Sequence, residues 1–293
     1  MRSWLFVPGN KPQMLLKAGE RGADALILDL EDSVPDAEKQ TARTLVREAL
    51  AHAGRRGSAA WVRVNGYATG LTDDDLEATV TRDTFGICLP KSTSAEEVAR
   101  LDARLSEIEP RAGLPHGQVK ICVFVETARG LLNAYALLTA SARVTAAVFG
   151  ADDFALSVGA QRTRAGTELL YARSHFVTAA HAAGVLAIDA VYINYQDAEG
   201  FVAEAQRARE LGFDGKTLVH PNQIPLLHRV FTPTEEEITF ARRVLAAYAE
   251  AEARGLGAIG MDGIMVDKPL VERARRILRA ADADVRRDDR ARV

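Results

Sequence analysis

Short β-branched or apolar runs that end in polar residues alternate along the chain with longer Ala-, Leu-, Arg- and Glu-rich stretches of helical spacing. That order is the mark of βα units, whose parallel strands are covered by helices and therefore read as nearly continuous apolar runs. The pattern predicts strands at Ser3 to Val7, Ala25 to Leu30, Ala60 to Val64, Gly86 to Pro90, Lys120 to Val125, Ala146 to Gly150, Leu186 to Val191 and Lys216 to Val219. It predicts helices at Ala37 to Ala53, Ala95 to Ile108, Leu131 to Leu138, Leu169 to Ala183 and Ala198 to Leu211. About eight strands in this order fit a closed (β/α)8 barrel of the TIM type better than a doubly wound sheet.

After Pro225 the pattern changes, which places a barrel domain at residues 1–225 and a C-terminal helical extension at 226–293. Thr232-Pro233-Thr234-Glu235 reads as a helix start, with Thr232 as N-cap and Pro233 in the first turn, and the helix should run to about Arg254. A Gly-rich segment, Gly255 to Gly263, ends it. A strand-like Ile264 to Val266 without a partner of its own follows, then a helix from Leu270 to Ala281. Asp282 to Val293 alternate charges without an apolar face and are expected to fray. Such an extension packs either on its own barrel or on a neighbouring subunit.

Composition narrows the class without naming a chemistry. A formal net charge of −3 gives no electrostatic footprint for nucleic acid. The opening apolar run, Trp4 to Val7, is too short for the core of a signal peptide, and no run approaches the roughly 20 apolar residues of a membrane span. A cytoplasmic protein with no membrane partner is expected. Cys88 and Cys122 each sit inside an apolar strand-like run, so buried free thiols are expected rather than a disulfide or a zinc site.

In parallel α/β folds the chemistry gathers at the carboxyl ends of the strands. Here successive strands end in Asp29-Leu30-Glu31-Asp32, Arg63-Val64-Asn65, Pro90-Lys91, Val125-Glu126 and Gly150-Ala151-Asp152-Asp153. Several carboxylates meeting at one rim repel one another unless a cation sits among them. Oxygen donors without His or Cys at ligand spacing favour a hard ion, Mg²⁺ above all. Glu126 and Asp153 are the expected ligands; Asp29, Glu31, Asp32 and Asp152 would act through water or support them. The same acids have a plainer reading as helix caps, with Asp152 or Asp153 capping a helix from Phe154. Arg63 suits either a developing anion or an ion pair with Asp29 or Glu31. Lys91 suits substrate binding, a Schiff base or an ion pair with the acids.

At these residues the chain resembles the citrate lyase beta-subunit family, the magnesium-dependent barrel lyases that include malyl-CoA and citramalyl-CoA lyases and border the HpcH/HpaI aldolases. The matching stretches are RSWLFVPGNKP, LILDLEDSV, VRVNG, LPK, VETARG, FGADDFA, ELLYAR, AIDAVY, LGFDGKTLVHPNQI, VFTPTEEE and MDGIMVD. Each is weak alone, and the ordered set spans almost the whole chain. The resemblance implies cleavage of a CoA thioester to a 2-oxo acid and acetyl-CoA or a homologue. It implies Mg²⁺ on Glu126 and Asp153, Arg63 as the enolate-binding arginine, and Arg2, Asn10 and Lys11 near the CoA phosphates. It also implies a homo-oligomer, a trimer or a multiple of one, in which Asp267 serves the active site of an adjacent subunit. Asp267-Lys268-Pro269 also reads as the N-cap of the last helix. The stretch Tyr192 to Asp197 departs from the pattern, because relatives often carry an acidic residue near Asn194.

Overall fold

The computed structural model describes residues 1–54 and 57–291, with side chains to 282. Two compact units divide the chain, Met1–His228 and Arg229–Val293. In the first, all eight predicted strands form: β1 (Ser3–Pro8), β2 (Ala25–Asp29), β3 (Ala59–Arg63), β4 (Gly86–Leu89), β5 (Lys120–Val125), β6 (Val144–Phe149), β7 (Leu186–Asp189) and β8 (Gly215–Leu218). They pair in sequence order, every pair parallel, and β1 closes on β8 through Ser3, Trp4 and Leu5. Closure removes both sheet edges, and the outer helices bury the other face.

Alternate residues of each strand fill the interior. Trp4, Ile27, Trp61, Cys88, Cys122, Phe124, Val148 and Ile188 form one buried cluster, with the Trp4 and Trp61 rings 5.1 Å apart. The period of two carries upward along the same faces: Asp29 follows Ile27, Arg63 follows Trp61 and Glu126 follows Phe124, so these three arrive at the C-terminal mouth pointing inward. Cys88 and Cys122 are buried free thiols facing one another across β4 and β5.

The helices of this unit are α1 (Pro12–Ala18), α2 (Lys39–Ala53), α3 (Thr72–Thr79), α4 (Ala95–Arg111), α5 (Ala128–Leu132), α6 (Ala134–Thr139), α7 (Ala151–Val158), α8 (Leu170–Ala183) and α9 (Ala198–Leu211). In α2 the buried Ala42, Val46, Ala49, Leu50 and Ala53 make a stripe of helical period. Several helices differ from the sequence reading. α1 and α3 were not predicted, since each is short. The helix predicted at Leu131 to Leu138 is broken at Asn133 into α5 and α6. α7 starts at Ala151 rather than Phe154, so Asp152 and Asp153 sit in its first turn instead of capping it.

α10 (Gln223–Phe231) carries the chain into the second unit, which contains α11 (Glu235–Ala253), β9 (Ile259–Met261), β10 (Ile264–Val266) and α12 (Lys268–Ala291). Its core joins Ala241, Val244 and Tyr248 of α11 to Val266, Val271 and Ala274. The N-cap of α11 is Thr234, not Thr232. Thr234 and Glu237 exchange both bonds of a capping box, which the two-residue shift makes possible. Ile264 to Val266 does have a partner: β9 pairs with it antiparallel across Asp262-Gly263, whose φ angles of 51° and 78° are those of the tight hairpin turn that Asp-Gly favours. α12 continues past Ala281 to Ala291, because nothing after Pro269 in that stretch is Gly or Pro.

Candidate active site

A cavity of about 430 Å³ opens at the C-terminal mouth of the barrel, lined by Asp29, Asp32, Arg63, Glu126, Asp152 and Asp153 together with Phe6, Phe124, Val148 and Ala190. Strand ends as far apart in sequence as Phe6 and Ala190 therefore meet at one place. Arg63 is its electrostatic centre. Its Nε and Nη2 donate to the two oxygens of Asp29 at 2.7 and 2.8 Å, and its Nη1 lies 2.9 Å from Glu31 Oε2. The guanidinium carbon stands 4.8 Å from the Phe6 ring centre and 5.7 Å from that of Phe124. Burial alone would lower the Arg63 pKa, but Asp29 and Glu31 reverse the sign and hold it above its ordinary value. Burial likewise pushes the Asp29 carboxyl up, and Arg63 more than cancels it, leaving Asp29 below the usual carboxylate range.

Glu126 is in the opposite state. It is 2 % exposed, and burial pushes its carboxyl up to about 8, with Arg63 opposing and Glu31 and Asp153 adding to the rise. Asp153 and Glu31 are raised too, burial first in each case, with neighbouring carboxylates contributing. Oε1 of Glu126 accepts the backbone N–H of Lys91 at 2.6 Å. Gly150 lets this side chain pass: a Cβ built on it would stand 2.3 Å from Glu126 Oε2 and 2.4 Å from its Cβ. Asp153 arrives by a route that strand alternation does not describe, on the first turn of α7, where the helix dipole favours carboxylates. Arg162 holds its neighbour Asp152 at 2.9 Å.

The lining offers carboxylate oxygens and no imidazole or thiolate, which is the donor set of a hard cation. Among the described residues no three such groups stand close enough to hold an ion by themselves. Two carboxylates leave the remaining positions to water and substrate, as Mg²⁺ prefers. The upward-shifted carboxyls of Glu126 and Asp153 are groups that a cation between them would relieve.

The other expected residues divide. Lys91 sits beside the mouth with Nζ 2.5 Å from Glu31 Oε1 and 3.0 Å from Asp32 Oδ1. Asn10 and Lys11 follow β1 at the same end of the barrel, Asn10 donating to Glu38 at 2.6 Å. Arg2 does not join them. It precedes β1, and it bonds Asp24 and Lys216 at the N-terminal rim. The six residues of β1, roughly 20 Å of strand, separate it from the mouth. Asp267 belongs to the second unit, where its Oδ1 accepts the N–H of Leu270 at 3.2 Å and caps the first turn of α12. Gly150, the Lys91 amide and Arg162 were not singled out from the sequence; the GAD run before Asp153 was the available signal only for the first.

Fold and site together define a (β/α)8-barrel enzyme whose polar groups gather at the C-terminal mouth, where barrels of this kind place their chemistry. The chain belongs to the HpcH/HpaI aldolase/citrate lyase family, whose model matches residues 2–221, and it is a carbon–carbon lyase of that family. It is 41% identical over 283 residues to the citrate lyase subunit beta of Leuconostoc mesenteroides subsp. cremoris, covering 97% of this chain and 94% of that one. It is 33% identical to the mitochondrial citramalyl-CoA lyase of Rattus norvegicus, covering 96% of this chain and 86% of the other. Among solved structures, CitE from Mycobacterium tuberculosis in complex with magnesium, acetoacetate and coenzyme A superposes with a TM-score of 0.79 at 33% identity, over 96% of this chain and 98% of that one.

In this geometry Gly150→Ala is expected to displace the Glu126 carboxylate while leaving the backbone allowed, since φ at 150 is −93°. A loss of about 10- to 100-fold in apparent metal affinity is expected, read from the metal dependence of turnover. An unchanged titration would show that Glu126 does not need this approach.

Proposed function

We propose that this chain is a magnesium-dependent lyase that cleaves a 3-hydroxy-3-carboxyacyl-CoA thioester, of citryl, citramalyl or malyl type, to a 2-oxo acid and acetyl-CoA or a homologue. The observation that carries this reading is the meeting of Glu126, Asp153 and Arg63 in one cavity at the barrel mouth. Likeness over nearly the whole chain to citrate lyase subunit beta and citramalyl-CoA lyase supports it, as does the magnesium and coenzyme A bound by the similar CitE.

Glu126 and Asp153 would hold Mg²⁺. When bound, the ion supplies Lewis acidity and a template for the carboxylate and neighbouring oxygen of the substrate. Arg63 donates two of its five N–H groups to Asp29, while Nη1 stands in ion-pair contact with Glu31; the N–H groups not given to Asp29 can face a thioester oxygen as negative charge builds there. Phe6 and Phe124 beside the guanidinium keep water away and strengthen that interaction. In the cleavage direction the hydroxyl proton passes to solvent water, the O–H electron pair forms the carbonyl of the 2-oxo acid, the carbon–carbon bond breaks, and its electron pair passes to the α-carbon of the thioester. We assign to Asp267, brought by a neighbouring copy in a homo-oligomer such as a trimer, the delivery of a proton to that carbon, and its removal in the reverse direction. Asn10 and Lys11 are assigned to the phosphates of the CoA arm.

Lys91 is a poor Schiff-base nucleophile here. Partial burial would lower its pKa, but the bonds to Glu31 and Asp32 outweigh burial and keep the ammonium protonated. The test is to incubate the purified full chain with citryl-, citramalyl-, malyl- and methylmalyl-CoA and to identify products by mass. Cleavage in Mg²⁺, its loss in EDTA and its return on adding Mg²⁺ are expected. Release of free CoA with the acyl carbon chain intact would make the protein a thioesterase, and a borohydride-trapped pyruvate adduct on Lys91 would make it a Schiff-base aldolase. Either outcome overturns the proposal.

A further inference from the structure

Lys91 has φ of +50°, and with Asp262 in the hairpin turn it is one of two non-glycine residues with positive φ among the described residues. An L side chain in this left-handed region is disfavoured on the order of tenfold, and Gly, Asn or Asp are its usual occupants. A lysine there needs a compensating hold, and a strained residue beside a reaction centre points to what the strain accomplishes. The hold is visible. Nζ is bound by Glu31 Oε1 at 2.5 Å and by Asp32 Oδ1 and Oδ2 at 3.0 and 3.3 Å. Glu31 is itself fixed by Arg63. The accomplishment is at the other end of the same residue, where the backbone N–H meets Glu126 Oε1 at 2.6 Å.

We propose that Lys91 is a positioning residue: its ammonium, clamped by Glu31 and Asp32, keeps its own backbone left-handed, and that backbone aims the N–H which orients the Glu126 carboxylate. The side chain thus serves the site through the main chain rather than by touching substrate. The inference rests on the reading of Glu126 as a cation ligand, and it links the acid loop after β2 to the carboxylate after β5 through one residue after β4. It also accounts for a feature that a charge role leaves unexplained, since an ammonium paired with acids needs no unusual φ.

Comparison of Lys91→Ala with Lys91→Gly isolates this effect. Both remove the ammonium, so the change in charge near the cation is common to the two and cancels. Glycine adopts positive φ without penalty, whereas alanine without the clamp relaxes to negative φ and withdraws the N–H. Binding of Mg²⁺ to the substrate-free protein, measured by titration calorimetry and checked with Mn²⁺ by electron paramagnetic resonance, is expected to be about tenfold tighter for Lys91→Gly than for Lys91→Ala. Lys91→Met should behave as alanine does and replaces it should the alanine variant not fold, which circular dichroism and melting curves report. Equal affinities for the glycine and non-glycine variants, or a weaker glycine variant, overturn the proposal and leave the lyase reading standing. Native protein that binds neither Mg²⁺ nor Mn²⁺ removes both.

Discussion

Replacing Glu126 with glutamine is expected to lower metal-dependent turnover by more than about 100-fold while the metal-free protein becomes no less stable. The loss follows from removing one of the two proposed ligands, Glu126 and Asp153; even changes to groups that merely support a ligand commonly cost 10- to 100-fold. Stability moves the other way, because Glu126 is 2 % exposed and burial pushes its carboxyl up to about 8, so at neutral pH the cation-free fold must hold a proton there that the unfolded chain, with its carboxyl near 4.5, gives up. Glutamine keeps the shape and can still accept the Lys91 N–H. Magnesium titrations of turnover and calorimetric melts in EDTA check the two halves separately. Full activity of the variant in chelator-treated buffer would remove Glu126 from the mechanism.

The largest effect on stability is expected at Asp189, outside the cavity. This residue is 1% exposed and ends β7 on the outer face, where it receives Arg173 Nε and Nη2 at 3.0 and 2.8 Å and Lys216 Nζ at 2.7 Å. Lys216 is wholly buried, and its other acidic partner is Glu204 at 2.7 Å. Asp189→Asn leaves two buried cations with one carboxylate fewer, a change that typically costs about 3–5 kcal/mol. For a unit of this size that corresponds to a fall in Tm on the order of 10 °C. Burial pushes the Asp189 carboxyl up, but Lys216 and Arg173 overcome it and hold it below the ordinary aspartate value of 3.8. A depressed carboxyl stabilises the fold above its unfolded pKa, near 4, and that contribution is lost as pH falls through the folded value. The native protein should therefore lose stability with acid below about pH 4 more steeply than the asparagine variant. Urea unfolding at pH 7 and at several pH values down to 2 measures both; a variant within about 1 kcal/mol of native at pH 7 would mean that Glu204 alone satisfies Lys216.

The strands and long helices were legible because each carries its own signal, an apolar run of four to six residues or a stripe of helical period. α1 and α3, at seven and eight residues, are too short to show a repeating stripe. The antiparallel hairpin escaped because its Asp-Gly turn lies inside a segment whose glycines read as a break. At the mouth, Glu126, Arg63 and Asp29 were legible from alternation along their strands. Asp153 was named as a ligand on a strand geometry it does not have, since the strand stops at Phe149 and a helix begins at Ala151. Arg2 lies at the other end of β1 from Asn10 and Lys11, since a motif fixes order along the chain and not which end of a strand a residue occupies.

The amino-acid sequence by itself determined the order and kind of the main elements, the family, and the collection of acids and one arginine at successive strand ends, because these rest on periodicity and on neighbours a few residues apart. Only the tertiary structure decided which carboxylate Arg63 neutralises and which stay costly, that Gly150 leaves room for Glu126, and that Lys91 turns its amide toward it. Those outcomes depend on burial and on contacts between residues tens of positions apart, where the balance of desolvation against pairing is set by distances that no local pattern encodes.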